Sequence, residues 1–339
     1  MSIVAYAPDD LTVTVTADTT LAALQEHLAR RGQWLPVDPP HPERTTLGEI
    51  VDRNLSGPRR YGHGTIREHL LGIRAQLADG RTIKNGGAVV KNAAGYDLCR
   101  LFTGAGGELG TLLEATFKVQ PRPELERFLE ALFPTVEAAA EFVEKVDASV
   151  LLPVVLDLHR LTAASDWTVV VGFAGDRETV EWQCAETARF GAFAELKLGT
   201  DEAKDVTKPL EIPLTRPAGT LSPSDGERDG VRGLDLTPRS PLPQVGTTIC
   251  RNLDYDTQFW NEAAGGDPPA QKLSVLPSKL VAAIQGLGTG VTSLLARAGN
   301  GVIYYRGGPA APKPALPRKL MQQLKNEFDP QHRLPAFQA

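Results

Sequence analysis

Strand and helix patterns alternate in a definite order along residues 124–200, and this order restricts the possible folds more than any other part of the sequence. Two-residue periodicity predicts four strands: Phe128–Leu132, Leu151–Leu158, Trp167–Phe173 and Ala194–Leu198. Helical periodicity predicts one helix after the capping residue Thr135 and a second over Thr179–Phe190. The resulting order, β-α-β-β-α-β, is the split βαβ pattern, and it predicts a ferredoxin-like layer.

Residues 1–123 predict a separate α/β region. Alternation over Leu11–Ala17 predicts a strand, and a helix capped by Thr19 or Thr20 follows and stops at Gly32. Further elements are predicted downstream: a short helix capped by Thr45-Thr46, a strand at Leu71–Leu77 with a hairpin at Asp79-Gly80, a short helix near Tyr96–Phe102, and a strand at Thr111–Val119.

The rest of the chain divides into a polar stretch and a second structured region. Residues 201–247 are rich in Pro, Gly, Ser and mixed charge, and they predict a mobile insertion. Strand patterns return at Lys272–Leu276, Val291–Ala296 and Val302–Tyr305, before a last helix at Arg318–Phe328. We therefore predict two domains, 1–123 and 124–339, with the insertion inside the second.

Charge and composition exclude several classes of function. The net charge is −5 and no basic stripe is present, which argues against nucleic acid as a partner. No apolar run approaches the ~18–20 residues of a membrane-spanning helix, and the N-terminus lacks the pattern of a signal peptide. Three cysteines (Cys99, Cys184 and Cys250) lie far apart and predict neither disulfides nor a thiolate-held metal. We expect a cytoplasmic protein without a transmembrane segment.

The common catalytic motifs are absent from the sequence. Gly104–Gly110 has the wrong spacing for a dinucleotide fingerprint, and a strand pattern rather than a helix follows it. There is no P-loop and no serine elbow, and the histidines lack metal-ligand spacing, so no metal site is predicted. No catalytic base can be assigned from these patterns.

A 23-residue segment, 45–67, remains as a candidate site. Thr45-Thr46-Leu47-Gly48 predicts a helix start whose backbone N–H groups suit a pyrophosphate. Gly57, Gly62 and Gly64 would let a flat ring system approach the backbone closely. On composition alone, a glycine-rich connection between helix and strand is an equally good interpretation.

Several strings in order resemble one family. They are Leu35-Pro36-Val37-Asp38-Pro39-Pro40, Thr45-Thr46-Leu47-Gly48, Gly57-Pro58-Arg59-Arg60, Lys91 to Leu98, and Gly104 to Leu112. Together they resemble flavoproteins of the vanillyl-alcohol oxidase type, which carry a PCMH-type FAD-binding domain. Within that family the sequence is most similar to FAD-binding subunits of bacterial glycolate oxidases. Weaker similarity to the family extends to Phe328-Asp329-Pro330, and residues 201–247 show no similarity to it.

The resemblance implies an α+β fold and FAD as cofactor. It implies an FAD domain of two α/β subdomains, with an antiparallel-sheet cap over the flavin. The implied cofactor-binding residues are Pro39, Pro40, Thr46, Leu47 and Gly48 along the ribityl and pyrophosphate, Asn54, Gly57, Gly62, Gly64 and Arg67 toward the ring, and Gly110, Thr111 and Leu112 near the adenosine. The implied partners are a larger flavin subunit and an iron–sulfur subunit, with a small 2-hydroxy acid as substrate and possible placement at the inner membrane through those subunits. Arg297 and Arg306 are candidates for binding the substrate carboxylate.

The sequence also departs from the family pattern. It begins after the family's first βαβ-like unit, which carries a phosphate-binding loop, so we expect a truncated first subdomain. Glu49 stands where the second glycine of the T-x-G-G turn is expected, Ala17-Asp18 replaces an alanine-glycine pair, and Leu334-Pro335-Ala336 replaces Asn-Pro-Gly. Three functions therefore stay open: an FAD-linked subunit of a 2-hydroxy acid oxidoreductase complex, a degenerate scaffold subunit of such a complex, and a stand-alone flavoenzyme of another substrate class.

Overall fold

The computed structural model describes residues 3–88, 97–190, 193–197, 245–250, 253–261, 268–312 and 318–335. The strands in these ranges are β1 Ile3–Ala7, β2 Thr12–Thr16, β3 Gln33–Trp34, β4 Leu70–Gln76, β5 Thr82–Gly86, β6 Thr111–Lys118, β7 Gln120–Pro121, β8 Leu125–Phe133, β9 Val155–Arg160, β10 Trp167–Gly175, β11 Phe193–Lys197, β12 Val245–Cys250, β13 Gln271–Ser274, β14 Val291–Arg297 and β15 Val302–Gly307. The helices are α1 Leu21–Ala29, α2 Leu47–Arg53, α3 Arg60–His63, α4 Ile66–His69, α5 Leu98–Phe102, α6 Val136–Asp147, α7 Arg177–Ala188, α8 Asp254–Asn261, α9 Leu280–Gly286 and α10 Arg318–Phe328.

The first sheet has five antiparallel strands in the order β1-β2-β6-β4-β5. Val13 and Val15 of β2 point into its core, where they meet Leu21, Leu24 and Leu28 from one face of α1. Thr20 caps α1 by accepting a hydrogen bond from the Ala23 N–H. The alternation on β2 and the helical spacing on α1 thus bury one apolar surface between them.

The second sheet has eight strands in the order β11-β12-β8-β10-β9-β14-β15-β13. Its pairs are antiparallel except β11 with β12, which is parallel. The predicted β-α-β-β-α-β order appears in β8-α6-β9-β10-α7-β11. In the sheet, β12 lies between β8 and β11, so the layer has one more strand there than a four-stranded ferredoxin-like sheet.

The eight-stranded sheet has two different faces. One face is apolar and packs against α6, α7 and α9; its residues include Leu129, Leu156, Leu158, Val171, Phe173 and Ile303. We call it the helix face. The opposite face holds Asp157, His159 and Arg297 beside Phe128 and Leu295, and it is partly covered by α8. We call it the polar face.

Residues from the first region dock against the second sheet at the start of β9, an inner strand. The Gly62 N–H donates to the Val154 carbonyl oxygen at 3.1 Å, and the Tyr61 hydroxyl donates to Asp147 of α6. A Cβ at Gly299 would lie 2.0 Å from the Tyr61 ring, so glycine is required there for this packing. The short helix α3 therefore connects the two sheets.

The C-terminal helix α10 returns to the first sheet. Phe328 meets Phe102 of α5 edge to face, with ring centroids 6.1 Å apart. Lys325 donates to the Glu108 carbonyl oxygen and Arg333 to that of Ala78. Residues from both ends of the chain thus pack around the same core.

Several predicted elements differ from the observed ones. The strand predicted at Leu151–Leu158 begins only at Val155, because Pro153 lacks an N–H and the Leu152 N–H instead donates to Gln183. The predicted insertion 201–247 lies outside the described residues up to position 244, and 245–247 begin β12. The string Lys91 to Tyr96 also lies outside the described residues.

Candidate cofactor and substrate site

The N-terminus of α2 is closed by internal hydrogen bonds. The Thr46 hydroxyl accepts from the Glu49 N–H at 3.2 Å. The N–H groups of Leu47 and Gly48 donate to carbonyl oxygens in the loop after β2. Leu47 donates to Thr19 at 2.9 Å and Gly48 to Ala17 at 2.8 Å. The expectation of outward-pointing N–H groups at this helix start is therefore wrong, since the side-chain cap and the loop use the donors that a pyrophosphate would need.

The segment before α2 packs against Gly57. A Cβ at Gly57 would lie 1.8 Å from the Asp38 carbonyl oxygen, so only glycine fits there. Pro39 is buried, and the carbonyl oxygen of Pro40 accepts a hydrogen bond from the Thr45 hydroxyl at 2.9 Å. These predicted cofactor residues are brought together, and they form a tight backbone junction.

The next group of predicted residues lies on α3 and α4. Gly62 donates its N–H to Val154, the residue just before β9, and a Cβ at Gly62 would lie 2.6 Å from the Val154 Cα. Gly64 has a φ of +79°, which favours glycine, and it lets the chain turn into α4. Arg67 on α4 is exposed. The structure thus places Gly62 in the contact between the sheets and Arg67 at the surface.

Two buried oxygens without a hydrogen-bond partner in the described ranges lie between the end of α2 and the loop 103–110. Gly104, Gly106 and Gly107 all have positive φ, and a Cβ at Gly106 would meet nothing within 4 Å. The Asp52 Oδ1 and Asn54 Oδ1 atoms beside this loop are buried and have no hydrogen-bond partner among the described residues. Burial raises the pKa of the Asp52 carboxyl to about 6, and the charge of Arg53 partly opposes this.

The same loop leads into the third group of predicted residues. The N–H groups of Gly104 and Gly106 donate to the carbonyl oxygens of Val51 and Asp52, which ties the loop to α2. Gly110 packs against the Gln76 carbonyl oxygen, Thr111 is exposed, and Leu112 lies in the core. Asn54 is the one predicted site residue that borders both α2 and this loop, since its Cβ lies 3.6 Å from the Cβ position of Gly104.

A cluster of ion pairs lies where the first region meets the polar face. Arg59 pairs with Asp38 at 3.1 Å and with Glu126 of β8 at 2.6 Å. Its guanidinium also lies over the rings of Trp34 and Phe128, at 5.7 and 5.6 Å from their centroids. Burial raises the pKa of the Asp38 carboxyl to about 7, although Arg59 and Arg297 oppose this. Asp38 is thus an acid that can hold a proton near neutral pH.

Arg297 is the centre of a second, deeper ion cluster. Its side chain is only 2% exposed and its two terminal nitrogens donate to Asp157 and Asp256. Asp157 also accepts from the Tyr255 hydroxyl at 2.7 Å, and Asp256 accepts from Trp260. Burial raises the pKa of the Asp157 carboxyl to about 6, against the charge of Arg297. One guanidinium therefore binds two carboxylates in a low-dielectric environment.

His159 lies beside this cluster. Its ring stacks on Tyr255 with centroids 4.6 Å apart, and neither ring nitrogen has a hydrogen-bond partner among the described residues. Burial, with a smaller contribution from Arg297, lowers the pKa of His159 to about 4. The imidazole is therefore neutral at physiological pH.

Arg306 is held differently. Its guanidinium donates to the carbonyl oxygens of Pro268 and Phe259 and lies 5.1 Å from the Phe259 ring centroid. The side chain is 1% exposed. Both predicted carboxylate-binding arginines are thus on the polar face, and both are engaged by groups of this chain.

Sequence reasoning did not single out Asp38, Arg59, Asp157 or Asp256 as site residues. The sequence does hold a signal for Asp38, because an acid between prolines in a buried, extended string is unusual. Asp157 and His159 alternate with Leu156 and Leu158, and polar residues at that spacing are normally solvent-facing. Nothing in the pattern indicates that α8 covers them.

Other features lie away from these clusters. A cleft of about 330 Å³ opens on the helix face, beside Arg160, Trp167 and Ile284. His69 contacts the His63 carbonyl oxygen at 2.9 Å, so the two histidines are neighbours through the main chain. Across the described ranges, no group of three or more His, Cys, Asp or Glu side chains could hold a metal ion. None of the helices in those ranges is both long and apolar enough to cross a membrane.

Comparison with known proteins bears on the first region. Residues 1–86 match the family described as FAD binding domain. The match confirms the predicted cofactor, FAD, and the resemblance to FAD-binding proteins. The chain is 41% identical over 143 residues to glycolate oxidase subunit GlcE of Escherichia coli (strain K12), and 36% identical over 149 residues to D-lactate dehydrogenase of Archaeoglobus fulgidus.

These matches cover 42% and 43% of the chain, and they span only 41% and 33% of the two relatives' lengths. The overall fold is shared more widely. Alkyldihydroxyacetonephosphate synthase superposes with a TM-score of 0.62 at 14% identity, over 98% of this chain and 64% of that one. At that identity the likeness shows the mixed helix-and-sheet fold alone.

The described residues fit one part of FAD better than another. The open glycines of loop 103–110 and the unpartnered oxygens of Asp52 and Asn54 fit hydrogen-bond donors such as ribose hydroxyls and the adenine amine. The start of α2 does not fit a pyrophosphate, because its N–H groups are used internally. The residues beside loop 103–110 therefore fit part of FAD better than the start of α2 does.

Proposed function

We propose that this chain is the FAD-binding subunit of a 2-hydroxy acid oxidoreductase complex of the glycolate oxidase kind. The observation that carries the proposal is the pair of buried, unpartnered oxygens of Asp52 and Asn54 beside loop 103–110, within a chain whose first 86 residues match an FAD binding domain. The sequence relatives named for glycolate and D-lactate support the substrate class. The proposed substrate is accordingly a small 2-hydroxy acid.

In this proposal the first region binds FAD, and the polar face of the second sheet holds charge beside it. Asp52 and Asn54 would accept hydrogen bonds from the adenosine part of FAD, and FAD when bound supplies the two-electron oxidation. Asp38, beside Arg59 at the junction, would hold a proton near neutral pH. Arg297 would orient a negatively charged group on the polar face and compensate its charge, because its guanidinium already binds the two carboxylates of that face.

We propose further that the eight-stranded sheet is the cap of the FAD domain. Its polar face meets Arg59 from the first region, whereas its helix face is covered by α6, α7 and α9. A sheet that presents charge toward the cofactor domain and apolar surface away from it is suited to this role. The predicted division at residue 123 and the two-subdomain arrangement of the FAD domain belong to the same proposal.

The partners in this proposal are a larger flavin subunit and an iron–sulfur subunit. One of the relatives carries the name of a glycolate oxidase subunit, which supports assembly with further chains. The iron–sulfur partner follows only from the family resemblance.

A second candidate function is a non-catalytic subunit that stabilises its partners. Specific observations favour it: Arg297 and Arg306 are both engaged by groups of this chain, and the α2 N–H groups are not available to a phosphate. In that role the buried ion clusters would serve fold specificity rather than chemistry.

The test is FAD titration of the purified full chain, followed by anaerobic addition of glycolate or D-lactate to the loaded protein and to the protein co-purified with its partner subunits. We expect one FAD per chain, about fivefold weaker FAD binding in Asp52→Ala, since one hydrogen bond is worth about 1 kcal/mol, and bleaching of the flavin by a 2-hydroxy acid. Asp166→Ala, an exposed aspartate in the second region, is the matched control. FAD binding without bleaching in either preparation would favour the non-catalytic role, and absence of FAD binding would refute the proposed function.

A further inference from the structure

Lys325 is a buried cation that the proposed function does not use. It lies on the last turn of α10 with a side chain 5% exposed. Its ammonium group has three donors, and the structure provides three acceptors: the Glu108 carbonyl oxygen at 2.8 Å, the Pro335 carbonyl oxygen at 2.8 Å and Asp329 Oδ2 at 2.9 Å. A fully satisfied buried ammonium is a defined structural contact rather than a solvated surface charge.

Asp329 fixes the position of Lys325. Its side chain is 0% exposed, and its oxygens accept the N–H groups of Arg333 at 2.8 Å and Leu334 at 2.9 Å in addition to Lys325. These hydrogen bonds lower the pKa of the Asp329 carboxyl to about 2, so it is charged throughout the physiological range. The turn after α10 is thus organised around one ion pair.

Lys325 also contacts the loop 103–110. Glu108 accepts the Lys325 hydrogen bond through its main-chain oxygen, two residues before Gly110 packs against Gln76. At its other end the loop is tied to α2 by the N–H groups of Gly104 and Gly106. A glycine-rich loop has a high conformational entropy when free, so each of these attachments matters for its shape.

This loop borders the unpartnered oxygens of Asp52 and Asn54. A Cβ at Gly107 would lie 3.9 Å from Asp52 Oδ2, and one at Gly104 would lie 3.6 Å from the Asn54 Cβ. A carboxylate repels phosphate, whereas unpartnered oxygens suit hydroxyl and amine donors, which the nucleoside half of a dinucleotide supplies. Both Oδ1 atoms are buried, so the position of the loop beside them governs whether such a ligand can reach them.

We propose that Lys325 is a positioning residue for the nucleoside-binding surface: by binding the Glu108 carbonyl oxygen, it keeps loop 103–110 in the conformation that accepts the adenosine of FAD. The inference rests on the proposed function for the identity of the ligand. It adds that the C-terminal helix, more than 200 positions away in sequence, is part of the cofactor site.

The experiment compares Lys325→Met with Arg333→Ala in the full chain. Arg333 also ties the C-terminal turn to the first sheet, through the Ala78 carbonyl oxygen at 3.3 Å, but it does not touch loop 103–110. Each variant is titrated with FAD, with AMP and with FMN, which has the flavin but no adenosine. Amide hydrogen exchange of Gly104 and Gly106 is measured on the ligand-free proteins.

We expect Lys325→Met to weaken FAD and AMP binding by at least about tenfold, to change FMN binding by less than about twofold, and to speed exchange at Gly104 and Gly106. Arg333→Ala should leave all four readouts near those of the wild type even if it lowers the thermal midpoint. Should Lys325→Met not fold, Asp329→Asn, which keeps a side-chain acceptor in the turn, should produce the same pattern more weakly.

Equal effects of Lys325→Met and Arg333→Ala on FAD affinity and on loop exchange would overturn the inference, because Lys325 would then only anchor the helix. The exchange measurement needs no ligand. A chain that binds no FAD, the outcome that refutes the proposed function, would therefore still show whether Lys325 orders the loop.

Discussion

The two faces of the eight-stranded sheet are built from the same strands and serve different ends. On β9, Leu156 and Leu158 point into the core beneath α6 and α7, while Asp157 and His159 point to the opposite side. Both sets are buried, so the difference is one of chemistry rather than exposure. The helix face stabilises the sheet by removing apolar surface from water, whereas the polar face holds charges whose burial is costly unless each is paired.

The largest expected effect is on the polar face, at Arg297. Arg297→Met leaves Asp157 and Asp256 buried without their cation, and breaking a buried pair in this way costs about 3–5 kcal/mol. Urea denaturation of the full chain measures the loss. Arg189→Met, which removes an exposed pair with Glu186, is the control and should cost less than about 1 kcal/mol. Similar small losses in both variants would mean that the buried cluster is not a tight ion pair.

The helix face should respond to a cavity. Leu156→Ala removes a fully buried side chain and should cost about 3 kcal/mol of unfolding free energy, within the usual range for core leucines. The loss should not vary between pH 5 and pH 8, because burial raises the pKa values of the titratable groups in this core, Cys184 and Tyr305, further above that range. Leu152→Ala, at a position 78% exposed, should change stability by less than about 0.5 kcal/mol. A marked pH dependence of the Leu156→Ala loss would contradict the separation of the two faces.

The polar face should respond to pH through His159. In the unfolded chain a histidine binds a proton below a pH of about 6.5, but the folded protein takes it up only below about 4. Between these values the unfolded state binds more protons, so stability falls as the pH falls. His159→Phe removes this dependence and keeps the stack on Tyr255, and the variant should gain about 2 kcal/mol relative to wild type between pH 8 and pH 5. A difference that stays constant with pH would show that His159 titrates normally.

The smallest effect is expected at the edge of the helix face. Arg160 lies over the Trp167 ring at 4.6 Å from its centroid, and it is only partly buried. Arg160→Ala should therefore cost about 0.5–1 kcal/mol, the usual contribution of a cation–π contact at an exposed site. Arg160→Lys retains a cation and should recover part of the loss. A loss as large as that of Arg297→Met would mean that the two faces do not differ in how they use arginine.

Local sequence patterns predicted many of the elements but not the state of the candidate site. The pair Thr45-Thr46 was correctly predicted to cap α2, and Thr46 is the cap, because capping depends on residues a few positions apart. The same reasoning expected free N–H groups there, and it was wrong because the acceptors, Ala17 and Thr19, lie far earlier in the sequence, in the loop after β2. Gly104–Gly107 has the wrong spacing for a nucleotide motif in sequence, yet in the structure it lies beside the unpartnered oxygens of Asp52 and Asn54.

The sequence by itself determined the β-α-β-β-α-β order of residues 124–200 and the two-residue alternation along β9, since both follow from neighbouring side chains and backbone geometry. Only the tertiary structure decided that Asp157 and His159 are buried, that α8 supplies Asp256 to Arg297, and that Lys325 reaches Glu108. Burial, ion pairing and shifted pKa values depend on which distant surfaces come together. The strand pattern V-L-D-L-H-R specifies two faces, but it does not specify what covers them.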